Sequence, residues 1–186
     1  MKKSLITLVG AAALALMGSG IANASITVAL NSEVAGVFTY GISVDALESL
    51  NNTSFFTIYD FAGFETGTAF SPAGWSVSVQ LTGVTPPTVA VPDSATLENL
   101  TFTDTGPPAT LPGGTVVNGF GADSTDTATA IGWFSYKAIK TSLGTPDYGD
   151  GNLEGPTATS VPEPVSMSLL GGGLALLGML RLRRNK

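Results

Sequence analysis

The chain contains no cysteine and no histidine, and these two gaps remove most familiar site chemistry at once. Without cysteine there is no disulfide to staple the domain, no thiol nucleophile and no thiolate metal site. Without histidine there is no Ser-His-Asp triad, no His-ligated zinc and no side chain poised near neutral pH as a general base. Positive charge is also scarce, because six of the eight basic residues lie at the two chain ends and only Lys137 and Lys140 fall between. All fourteen carboxylates lie between Glu33 and Glu163, so the stretch from Ser25 to Pro164 carries a net charge of −12. So acidic a surface repels phosphate backbones and excludes nucleic acid as a partner; it remains compatible with cations and neutral polymers. Neither a G-x-x-x-x-G-K-[ST] phosphate loop nor a strand-linked G-x-G-x-x-G occurs, since Gly171 to Gly173 lie inside an apolar run. An enzyme built from this chain would work with carboxylates alone, and the separation of two acids that decides such chemistry is a three-dimensional quantity. No catalytic, cofactor-binding or metal-ligating residue is therefore assigned, and a non-catalytic role is expected.

What is present is concentrated at the ends. Lys2 and Lys3 precede an apolar run from Leu5 to Met17, followed by Ala22-Asn23-Ala24 before Ser25. A basic start, a short apolar stretch and an A-x-A site form the pattern of a cleaved secretory signal, which predicts residues 1–24 as signal peptide with the cut marked by Ala22, Ala24 and Ser25. At the other end Val161-Pro162-Glu163-Pro164 leads into an apolar run from Val165 to Leu180, then the basic tail Arg181, Arg183, Arg184 and Lys186. Sixteen helical residues span roughly 24 Å, a marginal crossing of a core of about 30 Å. A single transmembrane helix over 165–180 is expected, with the basic residues of 181–186 snorkelling into headgroups and held in the cytoplasm by the positive-inside rule. The domain before it then lies outside. Gly171 to Gly178 gives that helix a small-residue face another helix could grip.

Between the ends, residues 25–140 read as one all-β domain. The segment is rich in Thr, Ser, Gly, Val and aromatics and poor in long charged helix formers. Strands are expected over Ile26 to Leu30, Gly36 to Val44, Ser54 to Tyr59, Trp75 to Leu81, Thr96 to Thr103 and Thr127 to Ile139. Trp75-Ser76-Val77-Ser78-Val79-Gln80-Leu81 alternates as a half-buried antiparallel strand does. In Thr96 to Thr103, Leu97, Asn99 and Thr101 fall on one side and Leu100 and Phe102 on the other; Ile131, Trp133 and Phe134 of the last run are available for a core. Turns rich in Pro and Gly at Ser71 to Gly74, Thr85 to Pro87, Gly106 to Pro108 and Pro112 to Gly114 space these runs as in an antiparallel β-sandwich of about seven strands. Only Asp45 to Leu50 reads as briefly helical. Residues 141–160 lose periodicity and gain Gly, Pro, Thr and acids, which predicts a flexible stalk.

The three C-terminal parts in this order resemble a PEP-CTERM sorting segment, carried by exported proteins of Gram-negative bacteria, many of which make exopolysaccharide. The match rests on Val161 to Pro164, on Leu169-Leu170-Gly171 through Leu177, and on Arg181 to Arg184. The resemblance covers about one-seventh of the chain and implies recognition by an exosortase, a membrane transpeptidase that would cut near the Pro-Glu-Pro motif and release or transfer the domain. Phe56-Thr57-Ile58-Tyr59-Asp60-Phe61, Pro72-Ala73-Gly74-Trp75 and Asn99 to Phe102 add a fainter similarity to members of the same group, which carries no activity with it.

Some local constellations admit two readings. Asp147-Tyr148-Gly149-Asp150-Gly151-Asn152-Leu153-Glu154 is either a solvated acidic loop or an oxygen-rich cation site, though without the EF-hand ligand order. Asp123 and Asp126 read as turn residues. Tyr59, Phe61, Phe64, Trp75 and Trp133 are either core or a platform for stacking on sugar rings. Asn51, Asn52 and Asn99 each open an N-x-[ST] triplet, incidental in a bacterium. The leading expectation is an exported surface or matrix protein; the alternatives are a carbohydrate-binding module of the exopolysaccharide layer and, least favoured, a carboxylate hydrolase.

Overall fold

The computed structural model describes residues 26–106 and 111–158. The signal cleavage residues Ala22, Ala24 and Ser25, the sorting motif Val161, Pro162, Glu163 and Pro164, the span 165–180 and the tail residues Arg181, Arg183, Arg184 and Lys186 lie outside the described residues. Among the described residues there is no helix, and all named strand pairings are antiparallel.

Among the described residues nine strands, rather than the seven or so expected, form two sheets: β1 (Ile26–Val34), β2 (Val37–Val44), β3 (Glu48–Ser49), β4 (Phe55–Phe61), β5 (Trp75–Gln80), β6 (Glu98–Asp104), β7 (Val116–Asp123), β8 (Thr129–Lys140) and β9 (Pro146–Pro156). One sheet has the order β1-β2-β7; the other runs β3-β8-β4-β6-β5, with β9 also paired to β8. Alternation decides what each strand hides. Ile26 and Val28 of β1, Phe38, Tyr40 and Ile42 of β2, and Phe120 and Ala122 of β7 are buried. They share one core with Phe56, Ile58 and Phe61 of β4, Leu100 and Phe102 of β6, and Phe134, Tyr136 and Ala138 of β8. Edge-to-face ring pairs join the sheets, with Phe38 against Phe61 at 5.7 Å and Phe56 against Phe120 at 5.0 Å between centroids. The fold is thus all-β and sandwich-like.

Four expectations are corrected. Asp45 to Leu50 is not helical: the Leu47 N–H donates to Asp45 Oδ1, and the Glu48 N–H to the Asp45 carbonyl, closing a turn. That turn feeds β3 and a bridge from Leu50 to Leu111. The stalk expected over residues 141–160, and with it the domain boundary at 140, gives way to β9, which pairs with β8 in unbroken register from Pro146↔Ile139 to Pro156↔Thr129. Its glycines explain the misreading. A Cβ on Gly149 would stand 2.6 Å from the Tyr136 hydroxyl, and one on Gly151 2.7 Å from the Phe134 ring. The rings of β8 lie where the side chains of β9 would be, so the core is filled from one strand and the other looks like a linker. Ile131 and Trp133 do not join the core, being 67% and 37% exposed, because Phe134 and Tyr136 take the inward phase of β8. β6 is buried on both faces, Asn99 and Thr101 as well as Leu100 and Phe102.

That second burial comes from the segment between β5 and β6, which lies across the outer face of the six-stranded sheet. Thr57 Oγ1 donates to the Val84 carbonyl at 2.8 Å and is hydrogen-bonded to Thr101 Oγ1 at 3.0 Å. The Tyr59 hydroxyl is hydrogen-bonded to Thr85 Oγ1 and Ser135 Oγ, each at 2.8 Å. Asn99 Nδ2 donates to Asp93 Oδ1 at 2.9 Å, and the Gly83 N–H to Asp93 Oδ2 at 3.0 Å. A Cβ on Gly83 would stand 2.5 Å from the Tyr59 ring, so the loop reaches the sheet only with glycine there. Each polar group buried by this cover has a partner, which removes the desolvation cost of hiding it.

Candidate ligand groove

The strands β4 and β8 pair from Phe55↔Lys137 to Ile58↔Phe134 and then separate. The cause is a bulge in β4, where Tyr59 and Asp60 together oppose Asn99 alone, between the pairs Ile58↔Leu100 and Phe61↔Glu98. Asp60 takes a left-handed backbone with φ of 55°, which costs a non-glycine residue of order 1 kcal/mol and is best tolerated by Asn and Asp. Two hydrogen bonds hold it: its N–H donates to Asn99 Oδ1 at 2.9 Å, and its Oδ1 accepts the Ser94 N–H at 2.8 Å.

Beyond the bulge, residues 129–133 of β8 keep β9 on one side and have no strand partner on the other among the described residues. The separation opens a groove of about 360 Å³, near the lower end of the range typical of ligand pockets. Ile58, Phe61 and Leu153 form its inner part, Asp60 with Pro92 and Leu97 one wall, and Ile131 with Trp133 the other. A second opening of about 440 Å³ lies at the β5 edge, between Phe64 and Ala69 and the inward valines Val77 and Val79; it holds no titratable group except Glu98.

The structure disperses the aromatic platform. Tyr59 and Phe61 are buried; Phe64 packs edge-on to Phe61, and Trp75 sits 4.9 Å from Phe120 and 6.0 Å from Phe56 between ring centroids. Trp133 alone of the five stands at the surface, on the lip of the groove. The run from Asp147 to Glu154 is a strand, so Asp147 faces inward while Asp150 and Glu154 point out and do not converge with it. Among the described residues no group of three or more acidic side chains is placed to hold a metal. Asp123 closes β7, and Asp126 follows in a turn in which its N–H donates to Ser124 Oγ. Asn51 accepts the Thr53 N–H in an Asx turn, Asn52 is exposed, and Asn99 is buried with its amide fully engaged.

One group was missed by sequence reasoning. Glu48 is fully buried and neither carboxylate oxygen has a hydrogen-bond partner. Burial, then the nearby Asp147 carboxylate, raises its pKa to about 7. Asp147 itself is paired with Lys140 at 3.0 Å and raises the pKa of that ammonium. The Tyr136 hydroxyl, close to the same acids, is pushed up to about 12, chiefly by burial. No sequence signal marks Glu48, because its partners come from the far end of the chain. Compared with known proteins, the chain matches no family model and no curated sequence.

Proposed function

We propose that the protein is an exported, non-catalytic surface or extracellular-matrix component. A cleaved signal peptide over 1–24 carries it through the inner membrane. A helix over 165–180 then holds it as a single-pass protein with its C-terminus in the cytoplasm. An exosortase-type transpeptidase, its expected partner beside the lipid bilayer, cuts near Val161 to Pro164 and releases or attaches the mature β-sandwich. The observation that carries this reading is the ordered C-terminal signal of proline-acid motif, apolar run and basic cluster. The all-β fold supports it, because nine antiparallel strands bury a shared aromatic core with no disulfide, as a domain without cysteine must.

Intact-mass measurement on the protein recovered from its producing cells tests the route. A mature species starting at Ser25 and ending near Pro164 is expected, and Glu163→Ala together with Pro164→Ala should leave the longer, membrane-held form. Recovery of the uncut chain from the cytosol would overturn the proposal. A second reading, a carbohydrate-binding module working in the exopolysaccharide layer, is favoured by a specific observation: the surface tryptophan Trp133 beside a groove that also presents Asp60.

A further inference from the structure

We infer that the groove between β4 and β8 is a binding subsite for a neutral hexose unit of a polysaccharide, with Trp133 as its stacking face. The inference deepens the carbohydrate-binding reading and is independent of how the chain is exported. Three features point to this ligand class. The groove pairs an apolar surface, from Ile58, Ile131, Leu153 and Trp133, with polar groups at its edges. A sugar ring presents the same division, an apolar face of C–H bonds and a rim of hydroxyls, and a tryptophan is the side chain that offers a broad face with little entropy to lose. The polar edge is supplied by the Asp60 carboxylate, whose Oδ1 is fixed by the Ser94 N–H, and by the backbone of residues 129–133, which has no second strand among the described residues. Charge selects among sugars: neither Lys137 nor Lys140 lines the groove, and the −12 of the surrounding chain repels uronates and phosphates.

An added peptide strand fits less well. Strand addition needs a continuous ladder on an exposed edge, and the stretch of β8 without a second partner among the described residues is five residues long. The facing wall cannot pair with it either, because the Asp60 N–H is already committed to Asn99.

The test uses the full chain in a sugar-free zwitterionic detergent. The probes are uncharged hexamers of glucose, mannose and galactose, a hexagalacturonate, and the strand-forming peptide Thr-Val-Thr-Val-Thr-Val. Calorimetry is expected to show binding of at least one neutral hexamer, weakened tenfold or more by Trp133→Ala. Gly132→Val provides a second variant, because Gly132 lines the groove and a Cβ there meets nothing nearer than the Leu153 carbonyl at 3.9 Å; it should also weaken binding tenfold or more, with the melting temperature unchanged. Binding of a neutral hexamer unaffected by either variant would leave the carbohydrate-binding reading standing and remove this site. Absence of neutral-hexamer binding removes both. Preference for the galacturonate, or Trp133-dependent binding of the peptide alone, also overturns the inference.

Discussion

Glu48 holds a carboxyl group where neither water nor a hydrogen-bond donor reaches it, and the fold responds by keeping the proton on. Its folded pKa of about 7 lies above the ordinary value of 4.5. Below pH 4.5 both states are protonated and the stability associated with this group is fully present. As pH rises through 7 the folded state must ionise a buried acid beside Asp147, with only Lys140 to offset it, and that stability is lost. The loss at alkaline pH is at most about 3 kcal/mol, the value of the whole shift before screening by Lys140 and solvent reduces it. Glu48→Gln removes the titration, so the variant should match the parent in urea unfolding at pH 4 and exceed it at pH 8. Identical pH profiles for the two proteins would show that Glu48 ionises freely. The tyrosines differ in their surroundings: Tyr136 is raised by burial and nearby acids, whereas Tyr40, raised by burial alone, keeps a hydroxyl with no partner.

Among the elements, β9 departs furthest from its sequence. Six strands are legible from alternation or β-rich composition: β1, β2, β4, β5, β6 and β8. The remaining three are hidden for different reasons. In β7 the period breaks at Gly119, an extra residue with φ of 94° placed in a bulge opposite Tyr40 and Gly41. The two-residue β3 is too short to show a period. In β9, Gly149 and Gly151 have given up their side-chain space to Tyr136 and Phe134, so the strand carries almost no apolar pattern of its own. Gly149→Val tests this directly. Its methyl groups would have to displace a ring already packed in the core, and overpacking of this kind costs about 1–3 kcal/mol. The urea midpoint should therefore fall well below that of the parent. An unchanged midpoint would mean that residues 146–156 do not pack on β8.

At the scale of the whole molecule, charge and topology act against each other. The two sheets bury one aromatic core, while residues 33–154 carry thirteen acids, all but Glu48 and Asp104 at least partly exposed, and two lysines. Like charges on a compact body repel one another, and salt screens them over about 10 Å at 0.1 M. The melting temperature should therefore rise as sodium chloride goes from 10 mM to 0.5 M at pH 8. A flat or falling curve would mean that surface repulsion is not a significant cost. Sequence by itself determined the all-β class, the acid surface and the exclusion of thiol and imidazole chemistry, because composition and a period of two are local properties that need no partner to be read. It also carries the terminal signals on which export is proposed. Only the tertiary structure decided which aromatics are core and which one is surface, where Glu48 is trapped, and that β4 and β8 part at Asp60. Each of these depends on which strand lies beside which, and on a bulge that changes the phase of a strand, and neither is set by neighbours along the chain.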